Sequence, residues 1–233
     1  MIDPMRPYVV LSAAVSVDGY LDDASPDRLL LSNPEDFDRV DAVRADCDAI
    51  LVGARTLRRD NPLLRVAGEA HRLRRVAAGK PEHPLKVTVS ASGDLDPELR
   101  VWRHGGGTLV YTTDAGVTRL GTTLSGLADV VSLGPAIDFG ALLDDLGCRG
   151  IERLMVEGGG HIHTEFLAAD LADELLLAVA PILVGDPGAP RFLHPAAYPG
   201  GSRRRMELAD LIRIGDIALL RYLPKTTESG ASP

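Results

Sequence analysis

The chain has 233 residues, 45% apolar and 25% charged, which excludes a disordered acidic chain, a collagen and a coiled coil. With 33 acids against 25 bases, its net charge of −8 argues against nucleic acid or an anionic membrane as a partner. At roughly 100–200 residues per domain, the length suits a single domain large enough to fold without disulfide or metal staples.

Met1–Pro7 carries none of the three regions of a secretory signal, and no apolar run nears the roughly 18 residues of a membrane span. A flexible N-terminus (1–7) and a cytoplasmic location are the expectations. Tyr8–Val15 reads as a first strand, ending at the turn dipeptide Asp18-Gly19. Ser32-Asn33-Pro34-Glu35 has the capping residues and early proline of a helix start. Asp48–Val52 is apolar on both faces, as a strand covered by helices on each side should be. Further strands are expected at Lys86–Val89, Thr108–Thr112, Val130–Leu133, Leu154–Glu157 and Leu175–Ala180. Helices are expected at about Glu69–Ala78, Phe139–Leu146 and Ile162–Ala169. Met206–Ile214 and Ile217–Leu223 flank Gly215-Asp216, a two-residue signal for a type II′ hairpin turn. The whole is an α/β domain over 8–223: a mostly parallel mixed sheet flanked by helices, closing in an antiparallel hairpin. The polar stretch 224–233 is an expected flexible tail.

The strongest chemical signal is Glu157-Gly158-Gly159-Gly160-His161 at the end of an apolar strand. Glycines there allow close backbone approach to a ligand, and the following helix offers free amides to a phosphate. The run matches neither GxGxxG nor GxxxxGK[ST], and a plain strand-to-helix turn fits equally well. A second cluster, Gly53 to Pro62, places Thr56 and Asp60 one turn apart after a buried strand, where a ligand crevice or a mere exposed helix pair are both open. His161 and His163 lie about 200° apart on a helix, so no metal is expected. Arg72, Arg74 and Arg75 read as a solvated basic helix face. Cys47 and Cys148 read as lone buried thiols.

Together, Ser16-Val17-Asp18-Gly19, Arg44-Ala45, Gly53…Thr56…Asp60-Asn61-Pro62, Val156–Gly160 and Ala180-Pro181…Val184-Gly185 resemble the pyrimidine reductases of riboflavin biosynthesis. The resemblance to this RibD C-terminal-domain family runs from about Tyr8 to Leu223. It implies a dihydrofolate-reductase-like fold, a homodimer, and NADPH-dependent reduction of a ribosylaminopyrimidine phosphate to the ribitylamine. In such chemistry the protein aligns cofactor and acceptor and excludes water.

By position, the resemblance makes Gly53, Thr56, Asp60, Ser90, Ser92, Gly158, Gly159, Gly160 and His161 cofactor-binding residues. Arg28, Arg44, Leu64 and Glu157 become substrate-binding residues, and Asp60 and Glu157 the candidates for chemistry. Glu157 suits the pyrimidine amino groups because a carboxylate accepts two donors at once. Three positions depart from the family pattern: Ser12 replaces a lysine, Arg28 a serine, and Ala67 an arginine. An arginine at position 67 would grip the substrate phosphate through paired hydrogen bonds; alanine cannot, leaving Arg28 and Arg65 as alternatives. The HxE…PCxxC deaminase motif is absent from this sequence. A dihydrofolate-reductase-like or other heterocycle reductase is the second reading, and a non-catalytic nucleotide-binding protein the third.

Overall fold

The computed structural model describes residues 6–224. Nine strands form one sheet in the order β5-β4-β3-β2-β6-β1-β7-β9-β8. They are β1 (Tyr8–Ser16), β2 (Ala49–Gly53), β3 (Leu85–Ser90), β4 (Thr108–Thr112), β5 (Asp129–Ser132), β6 (Arg153–Gly158), β7 (Glu174–Ala180), β8 (Glu207–Ile214) and β9 (Ile217–Leu223). All pairings from β5 through to β7 are parallel; β7–β9 and β9–β8 are antiparallel. The helices are α1 (Pro34–Asp46), α2 (Ala54–Asp60), α3 (Glu69–Ala77), α4 (Asp114–Leu120), α5 (Phe139–Cys148) and α6 (Gly160–Ala168).

Period-two alternation sorts the strand residues onto two apolar faces. Val9, Leu11, Ala49, Leu51, Leu154 and Val156 pack with α5 and α6, whereas Ile50, Val52 and Val110 pack with Leu57 of α2 and Leu120 of α4. The α1 start forms as its sequence suggests: the Asn33 side chain accepts the Asp36 N–H at 2.8 Å, with Pro34 in the first turn. The hairpin also turns as expected, with Ile214 opposite Ile217 and Gly215 at φ 62°. From β2 the chain steps outward through β3, β4 and β5, then returns to insert β6 between β2 and β1. That reversal opens a crevice at the carboxyl ends of these strands.

Two expectations change, those for Arg75 and Cys148. The apolar run Leu175–Val184 enters the sheet as β7, between β1 and β9, and emerges at Leu183, which is 75% exposed. Among the exposed large apolar residues, Leu208, Leu211 and Ile212 lie together on the terminal strand β8. Arg75 is not solvated; it is buried and donates to the carbonyls of Ala45, Cys47 and Pro81 at 2.8, 2.6 and 2.9 Å. Cys47 is buried, which pushes its thiol up to about 12, but Cys148 is exposed. Of the expected flexible ends, residues 1–5 and 225–233 lie outside the described residues, while Arg6 pairs with Asp144 at 2.5 Å. No helix among the described residues is long and apolar enough to cross a membrane.

Candidate active site

A cleft of about 1160 Å³ opens at the carboxyl ends of β1, β2, β3 and β6. That exceeds the roughly 300–1,000 Å³ of ordinary small-molecule sites and leaves room for a cofactor beside a substrate. Gly53, Thr56, Asp60, Ser90, Ser92, Gly159, Gly160 and His161 line it, as do Arg28, Arg44 and Glu157. Gly158 and Leu64 do not. The Leu64 side chain is buried in the core with Ile50, Val52 and Leu57 rather than facing the cleft.

The three glycines have different tasks. Gly158 has φ 99° and leaves no room for a side chain, since a Cβ would lie 2.5 Å from Nε2 of His163. At Gly160 a Cβ would collide with the Arg191 carbonyl oxygen. Gly159 is different: its backbone is extended, and a Cβ would meet only Thr56 Oγ1, at 3.4 Å. Gly159 is also the N-cap of α6, and no side chain caps that helix. Its first amides and the positive end of its dipole therefore face the cleft beside the Thr56 hydroxyl.

His163 is fully buried behind this loop, its ring 5.2 Å from that of Phe192. Neither ring nitrogen has a hydrogen-bond partner, and burial pushes its pKa down to about 4, so the ring is neutral at ordinary pH. His161, two residues away, is exposed. Among the described residues no group of three or more His, Cys, Asp or Glu could hold a metal ion.

Glu157, at the end of β6, accepts from Arg44 Nε at 2.6 Å and Nη2 at 2.7 Å. This paired contact from α1 fixes the carboxylate at the cleft wall and occupies one acceptor site on each oxygen. Arg44 also donates to the Arg65 carbonyl at 3.2 Å, and Glu157 raises the affinity of its guanidinium for the proton even though burial opposes this. Thr56 and Asp60 lie one turn apart on α2, so they are a helix pair, but one facing the cleft instead of open solvent. Burial pushes the Asp60 carboxyl above the ordinary range; Asp22 adds to the effect, and Arg28 and Arg59 oppose it.

Several cleft residues have no local sequence signature. Asp22 accepts the Leu29 N–H at 2.8 Å and pairs with Arg59 at 2.7 Å, pinning residues 21–33 over the cleft. Arg191 donates to the Tyr20 hydroxyl at 2.7 Å, and His194 lines the same wall from the segment after β7. At the expected phosphate position, the Ala67 and Gly68 amides instead bind the Asp41 carboxylate at 2.6 and 2.8 Å.

Comparison with known proteins finds one family along nearly the whole chain. The model of the RibD C-terminal domain family matches residues 7–220. A 2,5-diamino-6-ribosylamino-4(3H)-pyrimidinone 5′-phosphate reductase of Archaeoglobus fulgidus is 34% identical over 91% of this chain and 95% of its own length. The enzyme of the same description from Methanothermobacter thermautotrophicus is 33% identical over 95% of this chain and 100% of its own. Among solved structures, RibD of Acinetobacter baumannii has a TM-score of 0.78 at 22% identity, covering 95% of this chain and 59% of that one. A pyrimidine reductase-like protein of Corynebacterium diphtheriae has a TM-score of 0.76 at 21% identity, covering 94% and 92%.

Proposed function

The chain belongs to the RibD C-terminal domain family and is an oxidoreductase of riboflavin-biosynthesis type; from that premise, we propose that it reduces a ribosylaminopyrimidine phosphate with NADPH. The observation that carries the reading is that the uncapped start of α6 at Gly159, with the Thr56 hydroxyl beside it, lines the same cleft as the Arg44–Glu157 pair. A dinucleotide pyrophosphate suits the first feature and a polar heterocycle the second.

The residues present fit the cofactor. Gly159 offers backbone with no side chain in the way, and the α6 amides and Thr56 hydroxyl are donors for its pyrophosphate. Ser90 and Ser92 stand at the end of β3, and Arg58 is held at the adjoining turn by its hydrogen bond to the Asp94 carbonyl at 2.8 Å. Hydroxyls and a guanidinium there favour the extra phosphate of NADPH over NADH. When bound, the cofactor supplies hydride to C1′ of the ring-opened imine. Glu157, oriented by Arg44, accepts from the pyrimidine amino groups through its remaining lone pairs. Asp60, on α2 at the cleft wall, relays the proton that goes to the nitrogen as C1′ is reduced. The segment 21–33 closes the cleft and limits water.

The active unit is a homodimer in the cytoplasm, with no role for nucleic acid or membrane. Support for the dimer comes from β8, an edge strand exposing Leu208, Leu211 and Ile212, with Leu211 60% exposed. A second copy seated there would cover both the unpaired edge and the apolar side chains.

The test is direct: mix the protein with NADPH or NADH and the ribosylaminopyrimidine phosphate, and follow nicotinamide absorbance. Oxidation that needs the pyrimidine and prefers NADPH is expected. No oxidation with it, but turnover of dihydrofolate, would move the chain to the second reading.

A further inference from the structure

Four carboxylates are buried among the described residues, and three of them have both oxygens bonded. Asp22 takes the Leu29 amide on one oxygen and Arg59 on the other, and Asp41 takes the Ala67 and Gly68 amides. Glu174 takes Arg221 on one oxygen, and Tyr8 with Arg153 on the other. Asp36 is the exception. Its Oδ1 accepts from both Nε and Nη2 of Arg39, at 2.9 and 2.7 Å, and its Oδ2 has no donor. Nη1 of Arg39 likewise has no acceptor. An acid in the first turn of a helix serves the dipole equally well from solvent, so that role does not call for burying one oxygen unbonded.

Asp36 and Arg39 line the active-site cleft from α1, together with Ser12 of β1. Strand alternation puts Ser12 on the face of Val10 and Ala14, which pack with Val43 of α1. Arg39 shields its partner, since its side chain is 16% exposed and that of Asp36 is 0%. A ligand therefore meets Arg39 first, and a turn of that long side chain into the cleft bares the carboxylate. The pair is neutral as a whole: its acid repels a phosphate and its guanidinium repels an ammonium. What suits it is an uncharged group with N–H donors beside a carbonyl. Glu157, held by Arg44 about two turns further along α1, is a second arginine-held carboxylate in the same cleft. A flat heterocycle between the two can offer one edge to each.

We propose that Asp36 is a specificity-determining residue that accepts from the amino group on the carbon between the acceptor's two ring nitrogens, while Arg39 turns to the carbonyl on the same edge. A carboxylate oxygen only accepts. A ring with a second carbonyl in place of that amino group would face Asp36 with an oxygen and lose the bond. The site thereby favours a 2-aminopyrimidinone over the corresponding uracil. This rests on the reading of the acceptor as a pyrimidine, and goes beyond it in naming the ring group that is read and the residue that reads it.

The test compares kcat/KM for the ribosylamino phosphates of the 2-amino and 2-oxo rings, a ratio that cancels any loss of folded protein. The parent should favour the 2-amino acceptor about 10- to 100-fold, as for one charge-assisted hydrogen bond. Asp36→Asn, whose amide donates as well as accepts, should bring the ratio to within about threefold of one or invert it. Because that variant leaves Arg39 charged and unpaired, Asp36→Asn/Arg39→Gln is measured beside it, with the same collapse expected. Arg39→Met should raise both KM values by a similar factor of about 10, since both rings carry the other carbonyl. A parent ratio near one, a ratio that survives both Asp36 variants, or KM values unmoved by Arg39→Met would overturn the proposal. Binding of the bare rings, 2,5,6-triamino-4-pyrimidinone and 5,6-diaminouracil, is measured by calorimetry with NADP+ present and should show the same preference in the parent. A parent that reduces neither acceptor yet prefers the triamino ring overturns the proposed reaction and upholds Asp36; one that binds neither ring overturns both.

Discussion

The two ends of the parallel strands treat charge in opposite ways. At the amino ends, Glu174 is buried but receives Arg221 at 2.7 Å, the Tyr8 hydroxyl at 3.1 Å and Arg153 at 3.3 Å. Nearby, Asp48 accepts the Glu152 and Arg153 amides and Lys80 at 3.1, 3.0 and 2.8 Å. At the carboxyl ends the Arg44–Glu157 and Asp22–Arg59 pairs are tight, but Asp60 has only its loose ion pair with Arg28 at 3.8 Å and α6 starts without a side-chain cap. The first end is closely paired; the second leaves more polar groups unsatisfied, at the end where α/β sheets bind ligands.

This contrast can be broken from either end. The largest effect is expected at Gly159→Asp. Its Cβ has ordinary space, so melting should change little, while the carboxylate would meet the pyrophosphate. Repulsion of that kind costs several kcal/mol, so NADPH affinity measured by calorimetry should fall on the order of 10²–10³-fold. Unchanged affinity in the folded variant would remove the glycine loop from the cofactor site.

Glu174→Ala should do the reverse. Stripping three donors of their shared acceptor should cost about 3 kcal/mol in denaturant unfolding, toward the low end for broken buried pairs because Arg153 and Arg221 are partly exposed. Turnover per folded molecule should stay near the parent's. A large loss of turnover at intact stability would mean that the amino end is not merely structural.

His163 supplies a pH signature for the loop's support. Its folded pKa, about 4, lies below the ordinary value of 6.5, so only the unfolded chain takes up the proton as pH falls between them. Stability should therefore decline from about pH 6.5 to about pH 4, by roughly 2–3 kcal/mol. His163→Leu should flatten that part of the profile; an unchanged slope would assign the acid sensitivity elsewhere. Smaller still, Leu211→Asp on β8 should turn a dimer into a 24.8 kDa monomer in sedimentation at micromolar concentration. A parent that is already monomeric would contradict the dimer.

How far the sequence reveals this contrast depends on the range of the contacts. Short apolar runs mark β1 through β7, and Asn33-Pro34 marks the start of α1, because those signals are local. Helix α4 escapes notice because Gly116 interrupts DAGVTRL; the glycine is needed where a Cβ would strike Thr112 Oγ1. The glycine loop and Thr56 stand out singly, but their proximity follows from the β2–β6 pairing. Asp22, Arg191 and His194 reach the cleft only through long-range folding of segments with no regular pattern. Leu64 misleads because sequence gives its position, not the burial of its side chain.

Asp60→Asn tests most directly whether Asp60 serves the proposed chemistry or the fold. Asp60 donates to or accepts from no backbone group that would make it a cap, and burial already disfavours its charge. The substitution should lower turnover on the order of 10²–10⁴-fold while melting temperature holds or rises slightly and NADPH affinity changes less than about fivefold. Turnover near the parent's, with a clearly lower melting temperature, would contradict the account and leave Glu157 as the group nearest the chemistry.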